Sequence, residues 1–221
     1  MATYLVTGAN RGIGLEYCQQ LKTQNHEVIA VCRNSSKELD KLRVSVEKGV
    51  DITFQQSVEN LAQRLMGKTI DVLINNAAVA ETISLENLDY NSIRRQFEVN
   101  AIGTLRITQA LLPNFQYGSK IIIMTSRMGS IADNTSGGSY GYRMSKVAVS
   151  MAGKSLSLDL KPRGIAVAIL HPGLVQTRMT GFNNFGITTT ESVKGLLARI
   201  DQLNLDNSGS FWHANGEILP W

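Results

Sequence analysis

The 221-residue chain is 43% hydrophobic and 18% charged, with 19 glycines and 4 prolines. This composition excludes disordered, collagen-like and coiled-coil proteins, and the length corresponds to one domain of ordinary size. The 22 basic and 18 acidic residues give a formal charge of +4 that is spread along the chain, so we expect no nucleic-acid partner.

Short apolar runs alternate with longer helical patterns along the chain. Such runs suit strands that are covered on both faces of a parallel sheet. The predicted strands are 4–7, 28–32, 51–54, 72–75, 120–125, 166–170 and 210–213. The predicted helices are 12–23, 37–42, 58–66, 90–112, 142–160 and 191–203, the fourth capped by Asp89 and ended by Pro113. This alternation predicts an α/β fold: one domain over 1–221, a doubly wound parallel sheet of about seven strands with helices on both faces.

The cysteines and the N-terminal residues favour a soluble, cytoplasmic protein. Cys18 and Cys32 lie in apolar stretches, so we expect two buried thiols in a reducing compartment. No signal-peptide pattern is visible at the N-terminus. The longest apolar run, 165–170, is far shorter than the roughly 20 residues that cross a bilayer, so we expect no membrane partner. The three histidines show no metal-ligand spacing, and no metal site is predicted.

A glycine-rich turn joins the first predicted strand to the first predicted helix. It reads Thr7-Gly8-Ala9-Asn10-Arg11-Gly12-Ile13-Gly14. Glycines at such a turn let the backbone approach a pyrophosphate, and the helix N-terminus offers N–H groups and a partial positive charge. The position of the turn between strand and helix therefore favours a dinucleotide site over a tight turn without a ligand.

A tyrosine and a lysine four residues apart form the candidate catalytic pair. Tyr142 and Lys146 are separated by about 40° around a helix, so they share one face. Tyr140 is six residues before Lys146, lies on another face and is the poorer candidate. An ammonium lowers the pKa of a neighbouring phenol. We therefore predict a lowered pKa for Tyr142, toward the range in which a general acid–base works well.

Several separated segments together resemble the short-chain dehydrogenase/reductase family over nearly the whole chain. The turn has the family spacing T-G-x-x-x-G-x-G, and Asn75-Asn76-Ala77-Ala78 resembles N-N-A-G with Ala78 in place of glycine. The segment Tyr142-Arg143-Met144-Ser145-Lys146 matches Y-x-x-x-K, and 171–177 resembles the P-G-x-V-x-T segment. The ending, from Phe211-Trp212 to Trp221, further resembles the C-factor-like branch, which includes small carbonyl reductases.

The resemblance implies roles for individual residues. Tyr142 donates a proton to a carbonyl oxygen, and Ser126 hydrogen-bonds that oxygen. Lys146 holds the nicotinamide ribose, and Asn100 holds a water that links Lys146 to solvent. The NADPH or NADP⁺ contacts implied are Gly8, Asn10, Arg11, Gly12, Ile13, Gly14, Arg33, Asp51, Ile52, Asn76, Ala77, Ala78, Tyr142, Lys146, Pro172, Gly173, Val175 and Thr177. The dinucleotide-binding half is about 1–126, and the catalytic and substrate half is about 127–221.

Two serines compete for the place beside Tyr142. Ser126 lies 16 residues before it and Ser130 lies 12 before it, the latter closer to the family spacing. We favour Ser126 because a side chain at the carboxyl end of a strand faces the ligand crevice of such a sheet. Segment 133–138 is then a short insertion, and Ser130 is expected to be a solvated loop hydroxyl.

The end of the second predicted strand indicates the choice of cofactor. An acidic residue there would bind the ribose hydroxyls and repel a phosphate, but the sequence has Cys32-Arg33-Asn34-Ser35. The guanidinium of Arg33 can hold a 2′-phosphate, and Arg11 adds charge. Asp51, at the start of the third predicted strand, resembles the family residue that meets adenine. We therefore predict a preference for NADPH.

The predicted activity is reduction of a small-molecule ketone or aldehyde by an NADPH-dependent carbonyl reductase. One alternative is a C-factor-type signalling or sensor protein that binds the cofactor with little turnover. Another is a lyase or epimerase, because the fold alone does not determine the reaction. Segment 144–160 is apolar or small on most of its circumference, which predicts a homodimer, with a tetramer possible.

Overall fold

The computed structural model describes all 221 residues. Seven parallel strands form one sheet in the order β3-β2-β1-β4-β5-β6-β7. The strands are β1 (Thr3–Thr7), β2 (Glu27–Cys32), β3 (Ser45–Lys48), β4 (Val72–Asn75), β5 (Lys120–Met124), β6 (Ala166–His171) and β7 (Phe211–His213). The strand order reverses between β1 and β4, and ligands of such sheets bind outside the carboxyl ends of the strands at that point.

Seven α-helices cover both faces of the sheet. They are α1 (Gly12–Thr23), α2 (Lys37–Lys41), α3 (Gln55–Arg64), α4 (Tyr90–Phe97), α5 (Gly103–Ala110), α6 (Tyr140–Asp159) and α7 (Thr189–Gln202). Alternate strand residues point to opposite faces, so Val6 packs with α1 and α7 while Leu5 packs with α3, α5 and α6. The doubly wound parallel sheet predicted from the sequence is confirmed.

The third strand lies earlier than predicted. The structure has no strand at residues 51–54, and β3 is Ser45–Lys48 instead. The Asp51 carboxylate accepts hydrogen bonds from the Thr53 N–H at 2.9 Å and the Thr53 hydroxyl at 2.7 Å. Such local side-chain bonds favour a turn over a strand ladder. The prediction failed because β3 is a partly exposed, polar edge strand without an apolar run.

The predicted helix at 90–112 is interrupted at its centre. Asp89 caps α4 as predicted, accepting from the backbone N–H groups of Asn91 and Ser92. A π-helical turn, Glu98–Ile102, then separates α4 from α5, and a 3₁₀ turn that contains Pro113 follows α5. The apolar periodicity continues through the π turn, so it gave no sign of the break. Single π turns of this kind occur frequently at functional sites.

Both cysteines are buried and free, which confirms the prediction of two buried thiols. Burial raises the pKa of Cys18 to about 12, so this thiol stays protonated and unreactive at neutral pH. None of the helices combines the length and apolar character that crossing a membrane requires.

Candidate active site

The glycine turn is built by close backbone packing. Gly8 and Gly12 have positive φ angles of 65° and 54°, a region that L side chains rarely adopt. A Cβ on Gly14 would lie 2.3 Å from the carbonyl oxygen of Gly8, so α1 begins directly against the end of β1. The first turn of α1 holds no acidic residue, and no side chain caps it. Its N–H groups therefore remain available for an anion such as a pyrophosphate.

The segment after β4 forms the facing wall of this crevice. The Thr7 hydroxyl accepts from the N–H groups of Asn76 and Ala77, each at 3.0 Å. The Asn76 amide in turn donates to the Thr7 carbonyl at 3.0 Å. A Cβ on Gly8 would lie 2.9 Å from the Cα of Ala77. These contacts lock Asn76, Ala77 and the following Ala78 beside the glycine turn, where the resemblance expects cofactor contacts.

The predicted adenosine end of the crevice carries an ion pair. An Arg33 guanidinium nitrogen lies 3.8 Å from an Asp51 carboxylate oxygen, and the Arg33 side chain is 67% exposed. Asp51 follows β3 rather than starting it, and Ile52 beside it is buried. The Arg33 guanidinium makes this ion pair but no hydrogen bond within the protein, so its N–H donors are available to a phosphate group. Arg11 is also exposed, at the start of α1.

Ser126, Tyr142 and Lys146 meet at the carboxyl end of β5. Tyr142 and Lys146 lie one turn apart on α6, with the Lys146 Nζ 5.7 Å from the centre of the Tyr142 ring. The Nζ donates to the carbonyl oxygen of Met124 at 2.9 Å. The Ser126 hydroxyl is within hydrogen-bonding reach of the phenol and lowers its pKa. The structure therefore brings three of the four predicted catalytic side chains together.

The predicted lowering of the Tyr142 pKa is wrong for the chain by itself. Burial raises the pKa of Tyr142 to about 12, and the Ser126 hydrogen bond opposes this only in part. Burial also lowers the pKa of Lys146 to about 8. Desolvation penalises the charged form of both groups. The prediction failed because the four-residue spacing of Tyr142 and Lys146 does not reveal how far the folded protein removes them from water. At neutral pH the phenol of Tyr142 is protonated, and Lys146 carries its charge in most of the molecules.

The environment of the two candidate serines separates them. Ser126 begins a 3₁₀ turn, Arg127–Gly129, and its hydroxyl accepts from the Met128 N–H at 3.1 Å. Ser130 is 1% exposed and accepts from the Asp133 N–H at 3.1 Å, so its expected solvation is wrong. It lines a cavity of about 190 Å³ with Tyr140, on the other side of α6 from Tyr142. Ser126 is the serine beside the phenol.

Asn100 lies in the π turn and is 1% exposed. Its amide nitrogen donates to the Val79 carbonyl at 2.9 Å and to the Ser145 hydroxyl at 2.9 Å. Its side-chain oxygen accepts from the Val79 N–H at 2.8 Å. Both amide hydrogens are used inside the protein, and Asn100 and Lys146 share no hydrogen bond. A water link between them, as the resemblance implies, has to use an oxygen atom of Asn100.

The segment after β6 reaches back to the glycine turn. Gly173 has a φ of 86°, and Val175 is buried and forms an isolated bridge with Ile187. Thr177 caps a 3₁₀ turn reciprocally with Thr180. A Cβ on Gly12 would lie 3.5 Å from the methyl group of Thr177. Pro172, Gly173, Val175 and Thr177 therefore run along the crevice from β6 to the start of α1.

The chain matches the family model of the short chain dehydrogenases over residues 2–186. It belongs to the short-chain dehydrogenase/reductase family. This short-chain dehydrogenase is 42% identical over 227 residues to 1-hydroxy-2-glutathionyl-2-methyl-3-butene dehydrogenase of Rhodococcus sp. strain AD45, covering 100% of both proteins. It is 46% identical over 155 residues to the C-signal protein of Myxococcus xanthus, covering 69% of this chain and 93% of that protein.

Solved carbonyl reductases share the fold of this short-chain dehydrogenase. NADPH-bound carbonyl reductase from chicken fatty liver superposes with a TM-score of 0.91 at 30% identity, covering 100% of this chain and 99% of that one. The carbonyl reductase Sniffer of D. melanogaster superposes with a TM-score of 0.93 at 28% identity, covering 100% of both. With the family match, these likenesses make the protein an oxidoreductase of this family.

Two features of this short-chain dehydrogenase were missed from the sequence. The first is Ser145, which lies inside the Y-x-x-x-K motif. Its hydrogen bonds to Asn100 and Tyr142 could not be predicted from the sequence.

The second is a pair of histidines. His171 packs against His213 with ring centres 4.9 Å apart, and its Nδ1 is buried without a partner. Burial lowers the pKa of His171 to about 3, so it stays neutral beside Pro172. No group of three or more His, Cys, Asp or Glu side chains is arranged to hold a metal ion.

Proposed function

We propose that the protein is an NADPH-dependent carbonyl reductase that converts a small ketone or aldehyde into an alcohol. The observation that carries the proposal is the convergence of a half-buried, protonated phenol, a serine hydroxyl and a lysine ammonium at the crevice end of β5. These groups supply a proton donor, a hydrogen bond that orients a carbonyl oxygen, and a positive charge.

The crevice fits a dinucleotide. The uncapped N-terminus of α1 can take the pyrophosphate, since its N–H groups and partial positive charge attract anions. The exposed guanidinium of Arg33, supported by Arg11, can take the 2′-phosphate that distinguishes NADPH from NADH. When bound, the nicotinamide supplies the hydride for the carbonyl carbon. The division into a dinucleotide half, about 1–126, and a catalytic half, about 127–221, is part of this proposal.

The side chains supply the proton chemistry. The phenol of Tyr142, with a pKa of about 12, holds its proton at neutral pH until the carbonyl oxygen gains charge, and then donates it. Ser126 donates a hydrogen bond to the same oxygen and orients it. The Lys146 ammonium, with a pKa of about 8, favours the phenolate that remains. General acid catalysis of this kind contributes typically about 10²- to 10⁴-fold.

We also propose that two copies associate through the outer faces of α5 and α6. A groove of about 530 Å³ runs between these helices and is lined by Ile102, Leu105 and Leu156. Met151 and Leu158 are further exposed apolar side chains on the outer face of α6. Arg106, Gln109 and Asp159 also line the groove, and exposed apolar side chains with polar neighbours are typical of an interaction site. A two-fold axis would place the same surface of both copies in one interface. We further propose a cytoplasmic location, because the two free thiols of Cys18 and Cys32 are consistent with its reducing conditions.

The proposal is tested by following NADPH oxidation with a panel of ketones, aldehydes and sugars. We expect saturable turnover of at least one ketone or aldehyde, with formation of the corresponding alcohol, and slower turnover with NADH. Tight NADPH binding without turnover of any compound would contradict the proposal and favour a sensor, the alternative that the 46% identity to the C-signal protein supports. A product formed without net NADPH consumption would instead indicate a lyase or epimerase.

A second candidate is oxidation of an alcohol attached to a glutathione conjugate. It is favoured by the 42% identity to 1-hydroxy-2-glutathionyl-2-methyl-3-butene dehydrogenase over the full length of both proteins. The same side chains serve this direction when Tyr142 is ionised, because the phenolate and not the phenol accepts the hydroxyl proton; with a pKa of about 12 for Tyr142, we expect this oxidation to speed up as the pH rises. Reduction of NADP⁺ or NAD⁺ by hydroxyalkyl glutathione conjugates tests it, and the corresponding alcohols without glutathione are the control. Equal rates with and without the tripeptide would show that it is not recognised.

A further inference from the structure

We propose that Ser145 is a positioning residue that ties Asn100 to the first turn of α6 and so sets the place of Tyr142. The inference rests on the proposed function and goes beyond the four side chains that the family resemblance assigns to catalysis. The Ser145 hydroxyl accepts from the Asn100 amide at 2.9 Å and donates to the backbone carbonyl of Tyr142 at 2.8 Å. Ser145 is fully buried, so water does not replace either bond.

The direction of both bonds is determined. Asn100 offers only an N–H to this contact, so the Ser145 oxygen accepts there, and its single hydrogen is used on the Tyr142 carbonyl. Asn100 is itself held by two bonds to the backbone of Val79, just after Ala78 of the cofactor crevice. A continuous set of hydrogen bonds, buried between Asn100 and Ser145 and partly buried at its two ends, thus runs from the crevice wall to the residue that carries the phenol.

The start of α6 needs such a link because its own cap is weak. Ser139, the N-cap residue, has a φ of 48° and makes no side-chain capping bond. Gly137 and Gly138 before it also have positive φ angles, and a Cβ on either would meet nothing within 4 Å. The loop that enters α6 is held to the helix through the side chain of Arg143, which donates to the Gly137 carbonyl at 3.1 Å and the Ser136 hydroxyl at 2.8 Å, both at the exposed surface. Ser145 supplies a fixed point one turn inside the helix.

Catalysis is sensitive to this position. Misplacement of a reacting group by about 1 Å can cost about 100-fold in rate. Removal of the Ser145 hydroxyl leaves one Asn100 N–H without its acceptor and frees the first turn of α6. We therefore expect Ser145→Ala to lower kcat by about 10- to 100-fold. KM for the carbonyl and Kd for NADPH should change by less than about threefold, since no binding group is removed.

Ser157 provides a matched control on the same helix. It is 2% exposed, and its hydroxyl donates to the carbonyl three residues earlier, Lys154, at 2.6 Å. It has no bond to Asn100. Ser157→Ala removes the same kind of bond from α6 and should leave kcat within about twofold of wild type. An equal loss of kcat in both variants would show that Ser145 acts only through helix stability and would overturn the proposal.

A double-mutant cycle with Asn100→Ala tests the link itself. If Ser145 acts through Asn100, the two losses of kcat are strongly non-additive, and Ser145→Ala costs little in the Asn100→Ala background. Additive losses would overturn the proposal. If Ser145→Ala does not fold, Ser145→Cys, which keeps a weak donor and acceptor, enters the same cycle and should lose less rate than Asn100→Ala.

Amide hydrogen exchange separates this proposal from the proposed function. In Ser145→Ala, the amides of residues 140–146 should exchange faster than in wild type, and in Ser157→Ala they should not. This measurement requires no turnover, so it stays informative even if wild type reduces no carbonyl compound. Unchanged protection of 140–146 in Ser145→Ala would overturn the positioning role, whatever the substrate panel shows.

Discussion

Tyr142 and Tyr140 lie two residues apart on α6 in very different surroundings. Both residues are half-buried, but the Tyr142 ring lies beside Ser126 and Lys146, whereas Tyr140 lines the cavity on the other side of the helix. We predict that Tyr142→Phe lowers kcat by about 10²- to 10⁴-fold and leaves the Kd for NADPH nearly unchanged. Tyr140→Phe is the control and should keep the wild-type rate. A Tyr142→Phe variant that retained more than about a tenth of the rate would show that another group donates the proton.

The pKa of Lys146 predicts a pH dependence. The pKa is about 8 in the folded protein because burial penalises the ammonium. The proposed reduction uses the charged form of Lys146, which predominates below that pKa. We expect kcat/KM for NADPH, which reports the free enzyme, to fall as the pH rises through about 8. Measurement from about pH 6 to about pH 10 checks this, and a profile without a decline would show that the Lys146 charge is not needed.

Arg33 is predicted to select NADPH over NADH. Arg33→Asp removes a charge-assisted hydrogen bond worth roughly 1.5–3 kcal/mol, so the Kd for NADPH should rise by about 10- to 150-fold. The Kd for NADH should stay equal or fall, because a carboxylate can bind the ribose hydroxyls. Fluorescence titration measures both constants. Lys161→Asp, on the turn after α6, makes the same change in net charge and should change neither. Equal wild-type affinity for the two cofactors would reduce Arg33 to a surface cation.

At the scale of elements, the 3₁₀ turn after β5 decides which serine serves the site. Ser126 opens that turn at the crevice, and Ser130 closes it with its hydroxyl bonded to the Asp133 N–H. We predict that Ser126→Ala lowers kcat by about 10²- to 10³-fold, as for other donors to a reacting oxygen. Ser130→Ala should cost about 1 kcal/mol of unfolding free energy and keep kcat. Steady-state kinetics and thermal unfolding of both variants check the ranking, which the opposite order would overturn.

At the scale of the whole molecule, the groove between α5 and α6 predicts a dimer. Light scattering at micromolar concentration should give twice the 24.2 kDa chain mass. The double variant Leu105→Glu/Met151→Glu places charges on the proposed interface and should give the mass of one chain. Met66→Glu is the control, since Met66 is 80% exposed and lies just after α3. A wild-type mass of 24.2 kDa would exclude the dimer.

The sequence by itself determined the features whose signal is local. Six of the seven strands, the glycine turn and the one-turn spacing of Tyr142 and Lys146 could all be predicted. The reason is that apolar runs, glycines with positive φ angles and the pitch of a helix act over a few neighbouring residues. The Asp89 cap is of the same kind, because its carboxylate bonds the next turn of its own helix.

Only the tertiary structure decided the rest. The position of β3, the π turn at Asn100, the burial of Ser130 and the raised pKa of Tyr142 each depend on residues distant in the chain. An edge strand is defined by its pairing with β2 rather than by an apolar run. The pKa of a phenol follows from how much protein surrounds it. The hydrogen bond between Asn100 and Ser145 exists only after α6 packs against the π turn, because its partners, 45 residues apart, must first be brought together.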